Sequence, residues 1–243
     1  EEGDDDEAEQ QWREGAAQRL SDAFGFTLEV RSSSVEGGGL GVFAKGNIAP
    51  GTVVALWPGL VYPPSELQRL PGFPDPQRFN DHLVARYDGA VVDAQPLSIP
   101  SADTGAVAER IGRLGWNPLS VAHRVNHPPP GHAPNLLQAG YTFPAQLESR
   151  APNLPFDWQT RQHAAQPPPQ GRARRGRAET AGLRGLVMVT IAPLQCGEEL
   201  FVAYRFNPSH PTPSWYGPLN YRTAARTLFL RPYLAHFCSF SLR

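Results

Sequence analysis

The sequence predicts a mainly β fold with short helices, of the α+β class, and three observations carry that reading. In 243 residues there are 26 prolines and 23 glycines, about one residue in five, which interrupts the chain too often for long helices. The apolar residues fall into short, β-branched runs bounded by turn residues. A sustained helical period occurs near the N-terminus and then gives way to these runs. The length fits one domain with trimmings, since single cores stop growing near ~250 residues.

Residues 1 to 9 carry seven acids and nothing apolar larger than Ala8, so they read as a solvated tail. Trp12, Ala16, Leu20 and Phe24 then recur every fourth residue, with Ala17 beside them. This predicts an amphipathic helix over about 10–24, stopped at Gly25. Phe26, Leu28 and Val30 alternate as a strand face that ends at Gly37-Gly38-Gly39. Strands follow at Leu40–Lys45, at Thr52–Trp57, and at His82–Tyr87 with Ala90–Asp93. The last two flank Asp88-Gly89, a hairpin signal whose type I′ form needs positive φ at both central residues. Asn117-Pro118 reads as an N-cap and a first-turn proline opening one short helix through Val125. Gly185–Ala192 is the most apolar run and predicts a buried strand.

The charge balance excludes some classes of function. Lys and Arg number 22 against 23 Asp and Glu, a net charge of -1, with a pI near 6.7. No whole-molecule field recruits nucleic acid or an acidic membrane. No apolar stretch approaches the ~18 residues that span a bilayer, so a soluble chain without membrane contact is expected. Two cysteines, Cys196 and Cys238, cannot build a disulfide scaffold or a cysteine zinc cluster. An intracellular location, nucleus or cytoplasm, is expected, and a monomer. The chain begins at Glu1 rather than Met, so a targeting peptide removed upstream would not show.

Gln159 to Arg184 departs from the β pattern. It holds Pro167-Pro168-Pro169 and six arginines against the single acid Glu179, with little to bury, and reads as a flexible surface insertion. Weak contact with nucleic acid through its arginines is the functional alternative to a solvated loop, and the solvated loop is preferred.

Three motifs carry chemistry. In Gly39-Leu40-Gly41-Val42-Phe43-Ala44, glycines let a backbone approach a ligand closely. The same letters fit a dinucleotide fingerprint, but the following Lys45–Gly51 has two glycines and a proline where a helix would have to open. Arg124-Val125-Asn126-His127 is followed after six residues by Pro134-Asn135, and the prolines end the short helix at Asn126-His127. His123 and His127 have the i, i+4 spacing of zinc helices, with His132 as a third candidate. Arg124 stands where a metallohydrolase carries its general-base Glu, so no metal is expected. Gly197-Glu198-Glu199-Leu200-Phe201-Val202-Ala203-Tyr204 closes the set, and by itself reads as a strand edge anchored by a tyrosine.

Together and in this order, over about Phe26 to Asn207, the motifs resemble those of the SET-domain protein methyltransferases. That family shows Gly-x-Gly early, Asn-His with a later Pro-Asn in the middle, and Glu-Leu-x-x-x-Tyr near the end. The resemblance implies a β-clip fold of small sheets with a knot-like threaded C-terminal segment, an exception among chain topologies. It divides the chain into an acidic tail and helix over 1–25, a SET domain over 26–207 interrupted by 159–184, and an aromatic segment over 208–243. It also brings Pro134-Asn135 beside Glu199-Leu200.

The implied activity is transfer of a methyl group from S-adenosylmethionine to a lysine side chain of a protein substrate. Gly39, Leu40 and Gly41 would lie along the cofactor, where a Cβ on either glycine would clash with it. Asn126 and His127 would hold its amino-acid end and adenine. Tyr204 would be the catalytic residue, orienting the amine. Such an in-line displacement draws mostly on alignment, where an oriented pair can gain ~7–11 kcal/mol.

The chain departs from the family pattern in several places. Val202 stands where Phe or Tyr usually limits how many methyl groups fit, and Ala203 replaces the usual acid. The Asn-His to Pro-Asn spacer is long. In place of a cysteine-rich zinc module after Tyr204, Trp215, Tyr216, Tyr221, Phe229, Tyr233, Phe237 and Phe240 populate the tail. They could stack on adenine or pack as a C-terminal helix. Two rival functions remain: a peptide-binding module on the same scaffold without turnover, and a nucleic-acid binder using the insertion. Lys45 is the sole lysine, so the acceptor is expected to be another protein.

Overall fold

The computed structural model describes residues 2–78, 80–95, 117–143, 156–157, 183–204 and 216. It opens with a helix, α1 (Glu2–Phe24), and continues through small sheets, mostly antiparallel, in the α+β manner expected. Strands β1 (Thr27–Ser32) and β2 (Leu40–Lys45) form an antiparallel pair, with Val30 opposite Val42. Strands β4 (Leu60–Tyr62), β5 (Leu83–Ala85), β6 (Val91–Asp93) and β8 (Phe156–Asp157) make a four-stranded sheet in the order β5-β6-β4-β8, with β8 parallel to β4. Strands β3 (Val53–Leu56), β7 (Leu136–Phe143) and β9 (Leu183–Thr190) form a third in the order β3-β9-β7. No helix among the described residues is long and apolar enough to cross a membrane.

Several expectations are refined. Helix α1 begins at Glu2 rather than near residue 10. Acidic residues are favoured in the first turn of a helix, at the positive end of the backbone dipole. Of its expected apolar face, Ala16 is buried while Phe24 is 64% exposed; the side chain of Trp12 lies outside those described. The Asp88-Gly89 hairpin forms, but as the three-residue type. Gly89 N–H donates to Arg86 O at 3.0 Å, Arg86 N–H to Ala90 O at 2.8 Å, and Gly89 alone supplies a left-handed residue, φ 82°.

Asn117 caps as expected, its Oδ1 accepting from Leu119 N at 2.9 Å. A turn and a 3-10 helix, Ala122–Arg124, follow in place of one short α-helix. The insertion over 159–182 lies outside the described residues, and its last two, Leu183 and Arg184, belong to β9. The aromatic tail lies outside them too, except Tyr216. So does the stretch on which the expected threading depends.

The chain divides into two compact units. The first comprises Glu1–Leu20, Ala55–His123 and Ala139–Met188. Its core packs Leu60, Tyr62 and Leu70 against Leu67, Leu83 and Val91. A buried polar pair sits there as well: Asn80 Nδ2 donates to Asp93 Oδ1 at 2.8 Å, and Gln95 N–H to the same oxygen at 2.9 Å. Burial pushes the Asp93 carboxyl up from its ordinary value, against the lowering pull of those bonds and of His82.

The second unit comprises Ser21–Val54, Arg124–Gln138 and Val189–Arg243. It buries Val42, Val54, Val125, Leu136, Leu194 and Leu200 completely. All three motifs lie in it. Isolated bridges link Phe43 with Glu199, Asn126 with Phe201, and Leu136 with Val202.

Candidate active site

Strand β2 carries the first motif, and the glycine requirement there has two different causes. Gly39 adopts a φ of 61° with open space where a Cβ would point, so its constraint is the left-handed backbone. At Gly41 a Cβ would overlap the Glu199 carboxylate instead. The expected clash at that position is therefore with the protein's own side chain. Leu40 between them is 46% exposed, an apolar side chain at the surface of an otherwise well-packed strand.

The 3-10 helix ends at Arg124, ahead of the prolines expected to stop it, and Asn126, bridged to Phe201, turns its side chain back onto the first motif. Its Nδ2 donates to Leu40 O at 3.0 Å and, more weakly, to Glu199 Oε1 at 3.4 Å. Asn126 O accepts from Val202 N at 3.0 Å. Both amide protons thus have protein acceptors, and Asn126 works as an orienter of the Leu40 backbone.

The segment from Glu199 to Tyr204 is fastened by the other half of the second motif. Asn135 Nδ2 donates to Glu199 O at 2.8 Å, and Phe201 N–H donates to Asn135 Oδ1 at 2.7 Å. Asn135 N–H and Leu136 N–H both donate to Phe201 O, at 3.1 and 3.0 Å. Pro-Asn and Glu-Leu, far apart in sequence, meet in space.

Tyr204 is pinned at three points. Its N–H donates to His127 Nδ1 at 3.1 Å, its hydroxyl to Val125 O at 2.8 Å, and its carbonyl accepts from the Tyr216 hydroxyl at 2.8 Å. A histidine nitrogen that accepts an N–H bond carries no proton, so the bond fixes the tautomer of His127 with its proton on Nε2. His127 is buried. The Tyr216 ring lies over it, centroids 4.6 Å apart and planes at 37°, while the Tyr204 ring is 5.7 Å away.

The sequence-predicted residues Gly39, Leu40, Gly41, Asn126, His127 and Tyr204 thus stand within one hydrogen-bonded cluster of one unit. Two partners were missed as site residues, the Val125 carbonyl and Glu199 as the acceptor beneath Gly41, while Tyr216, named only among the tail aromatics that could stack on adenine, covers His127. A backbone carbonyl leaves no mark in sequence, and a tail aromatic gives no register. Glu199 was visible as a motif letter expected beside Pro134-Asn135, with nothing to mark its contact with the first motif. The His123, His127 and His132 spacing assembles nothing comparable: the His123 ring stands edge-on to His82 at 5.9 Å, His132 is exposed, and no group among the described residues could hold a metal ion.

No family model matches the chain. Over 203 residues, 76% of its length, it is 26% identical to SET domain-containing protein 9 of Homo sapiens, covering 60% of that protein. The protein of the same name from Pongo abelii is also 26% identical over 203 residues, with 66% of its length covered. The match spans less than two thirds of either relative. These similarities support a SET-domain family relationship.

Proposed function

We propose that this SET-domain relative is an S-adenosylmethionine-dependent methyltransferase of the SET type that transfers a methyl group to a lysine side chain of a protein substrate, with its catalytic domain at 26–207. The observation that carries the reading is the convergence of Gly39–Gly41, Asn126, His127 and Tyr204 through direct hydrogen bonds, although the motifs lie far apart along the chain. A peptide-binding role without turnover has no use for this particular set.

The residues fit the cofactor. A Cβ at the exposed Gly39 would point into open space, as suits a backbone that lies along a ligand. We assign Gly39, Leu40 and Gly41 to its flank, with Asn126 and His127 setting the backbone that receives it. When bound, S-adenosylmethionine supplies an electrophilic methyl group on a sulfonium.

Tyr204 does the positioning. Its hydroxyl proton is directed to the Val125 carbonyl, so the phenol oxygen serves as acceptor for an N–H of the incoming amine and aims the nitrogen lone pair. The amine reacts only when neutral. Its unperturbed pKa is near ~10.4, and entry into a partly desolvated site beside a positive charge favours loss of the proton. The three bonds on Tyr204 keep the phenol in place, so that the step draws on alignment rather than on covalent chemistry.

The test is transfer of labelled methyl from S-adenosylmethionine onto proteins of a cell extract, followed by hydrolysis and identification of the labelled amino acid. Methyl-lysine is expected, and a Tyr204→Phe chain that stays folded should lose on the order of 10²-fold or more in rate. A folded wild-type chain that binds the cofactor and labels nothing, or a Tyr204→Phe chain of full activity, contradicts the catalytic assignment.

A further inference from the structure

We infer that Glu199 is a positioning residue: its carboxylate ties the Ser33-Ser34 turn and Asn126 together beneath Gly41, and so holds the Gly39–Gly41 segment in the shape that receives the cofactor. The inference rests on the proposed function for the identity of that cofactor. The tether itself stands on the geometry.

Glu199 is 6% exposed. It accepts from Ser33 Oγ at 2.6 Å, from Ser34 Oγ at 2.5 Å and from Ser34 N–H at 2.8 Å, with Asn126 Nδ2 at 3.4 Å. A carboxylate offers about four lone-pair sites, and four donors meet it here. Among the described residues those donors are neutral hydroxyls and amides, without a cation. A buried carboxylate is costly unless such bonds are all made. The turn that makes them therefore cannot leave without stranding the charge.

Besides Glu199, the turn is held by the pairing of Ser32 with Leu40 and by short-range bonds of its own. Gly37-Gly38-Gly39 follows it after Val35 and Glu36, and three glycines lose more conformational freedom on ordering than any other residues would. Ser33 N–H donates to Gly39 O at 2.9 Å and Gly38 N–H to Val35 O at 2.9 Å. Val35 N–H donates to Ser33 Oγ at 3.0 Å, so the serine that bonds Glu199 also closes the turn. Removing the carboxylate frees both serines together. A segment that is competent for only a fraction of the time weakens apparent affinity by that fraction, while the step after binding is unchanged.

The test measures two quantities on the full chain. For Glu199→Ala, S-adenosylmethionine affinity should fall on the order of tenfold or more, with kcat at saturating cofactor within about threefold. Without any ligand, hydrogen exchange at the amides of Ser33–Leu40 should accelerate. Glu199→Gln should recover most of both, because its amide oxygen accepts from Ser34 N–H and its amide nitrogen donates to a serine oxygen.

If Glu199→Ala does not fold, the double variant Ser33→Ala/Ser34→Ala decides on the same two readouts. A folded variant with wild-type affinity and wild-type exchange over Ser33–Leu40 overturns the inference, as does one whose melting temperature falls while both readouts stay unchanged. A folded wild-type chain that binds no S-adenosylmethionine overturns the proposed function and the cofactor half of this inference. Exchange then still decides whether Glu199 holds the turn.

Discussion

At Gly41 a hydrogen is the largest side chain the site admits, because the next atom outward would enter the Glu199 carboxylate. Gly41→Ala must displace that carboxylate from its donors. Overpacking of this kind costs about 1–3 kcal/mol before the lost hydrogen bonds are counted. Gly39→Ala meets open space and carries only the left-handed backbone cost of about 1–2 kcal/mol. Denaturant midpoints should therefore rank Gly41→Ala below Gly39→Ala. The reverse order would remove Glu199 from beneath Gly41. The sequence marked both glycines as positions for close approach, which Gly41 shows and Gly39, facing open space, does not. What approaches Gly41 was not legible, because Glu199 is brought there by pairing between distant segments.

Asp93 gives a second prediction at this scale. Burial raises its folded pKa above the ordinary 3.8, so the folded chain binds a proton more readily than the unfolded one. Its ionised form therefore costs stability, and that cost sets in as pH rises from about 3.8 through the raised folded value. Asn at this position keeps an oxygen to accept from Asn80 and Gln95 without the charge. The difference in stability between Asp93→Asn and wild type should grow in favour of the variant over that rise and then level off. A difference independent of pH would contradict the assignment.

Among the elements, the β5–β6 hairpin shows how a local signal can be right in place and wrong in form. Asp88-Gly89 marked the turn, yet the loop is set by Arg86, whose Nε and Nη2 each donate to an Asp88 oxygen at 2.8 Å. Arg184 at the start of β9 adds a weaker bond to the same carboxylate at 3.3 Å. Arg86 and Arg184 hold the Asp88 carboxyl well below the usual range, with Arg86 the larger influence. Its stabilisation is thus present above the ordinary 3.8 and lost as pH falls below it.

The joint formed by Asn135 is the stronger test at this scale. Its side chain satisfies one carbonyl and one N–H of the Glu199–Phe201 stretch. Asn135→Ala leaves both without it, at about 1–3 kcal/mol each. Chemical denaturation should show a loss on the order of 3 kcal/mol, and no loss would mean that water replaces Asn135 at that edge. The short helix expected after Asn117 became a turn and a 3-10 piece because few residues separate the cap from the prolines, too few to repay helix nucleation. That outcome depends on context which periodicity does not register.

Across the whole molecule, the mainly β class was legible because turn residues and short β-branched runs are local signals. The meeting of the three motifs was legible only through their order, which the family resemblance supplied. No period or composition brings Asn126 to Leu40 or Asn135 to Glu199. Those pairings follow from isolated bridges between distant segments, as does the tether at Glu199. Under the proposed function, this convergence receives S-adenosylmethionine. Isothermal titration of the full chain with S-adenosylmethionine tests it most directly. One saturable site per chain is expected, weakened in Gly41→Ala. A folded chain that gives no heat of binding at any temperature tried, and no shift in melting temperature with the cofactor in excess, would contradict it.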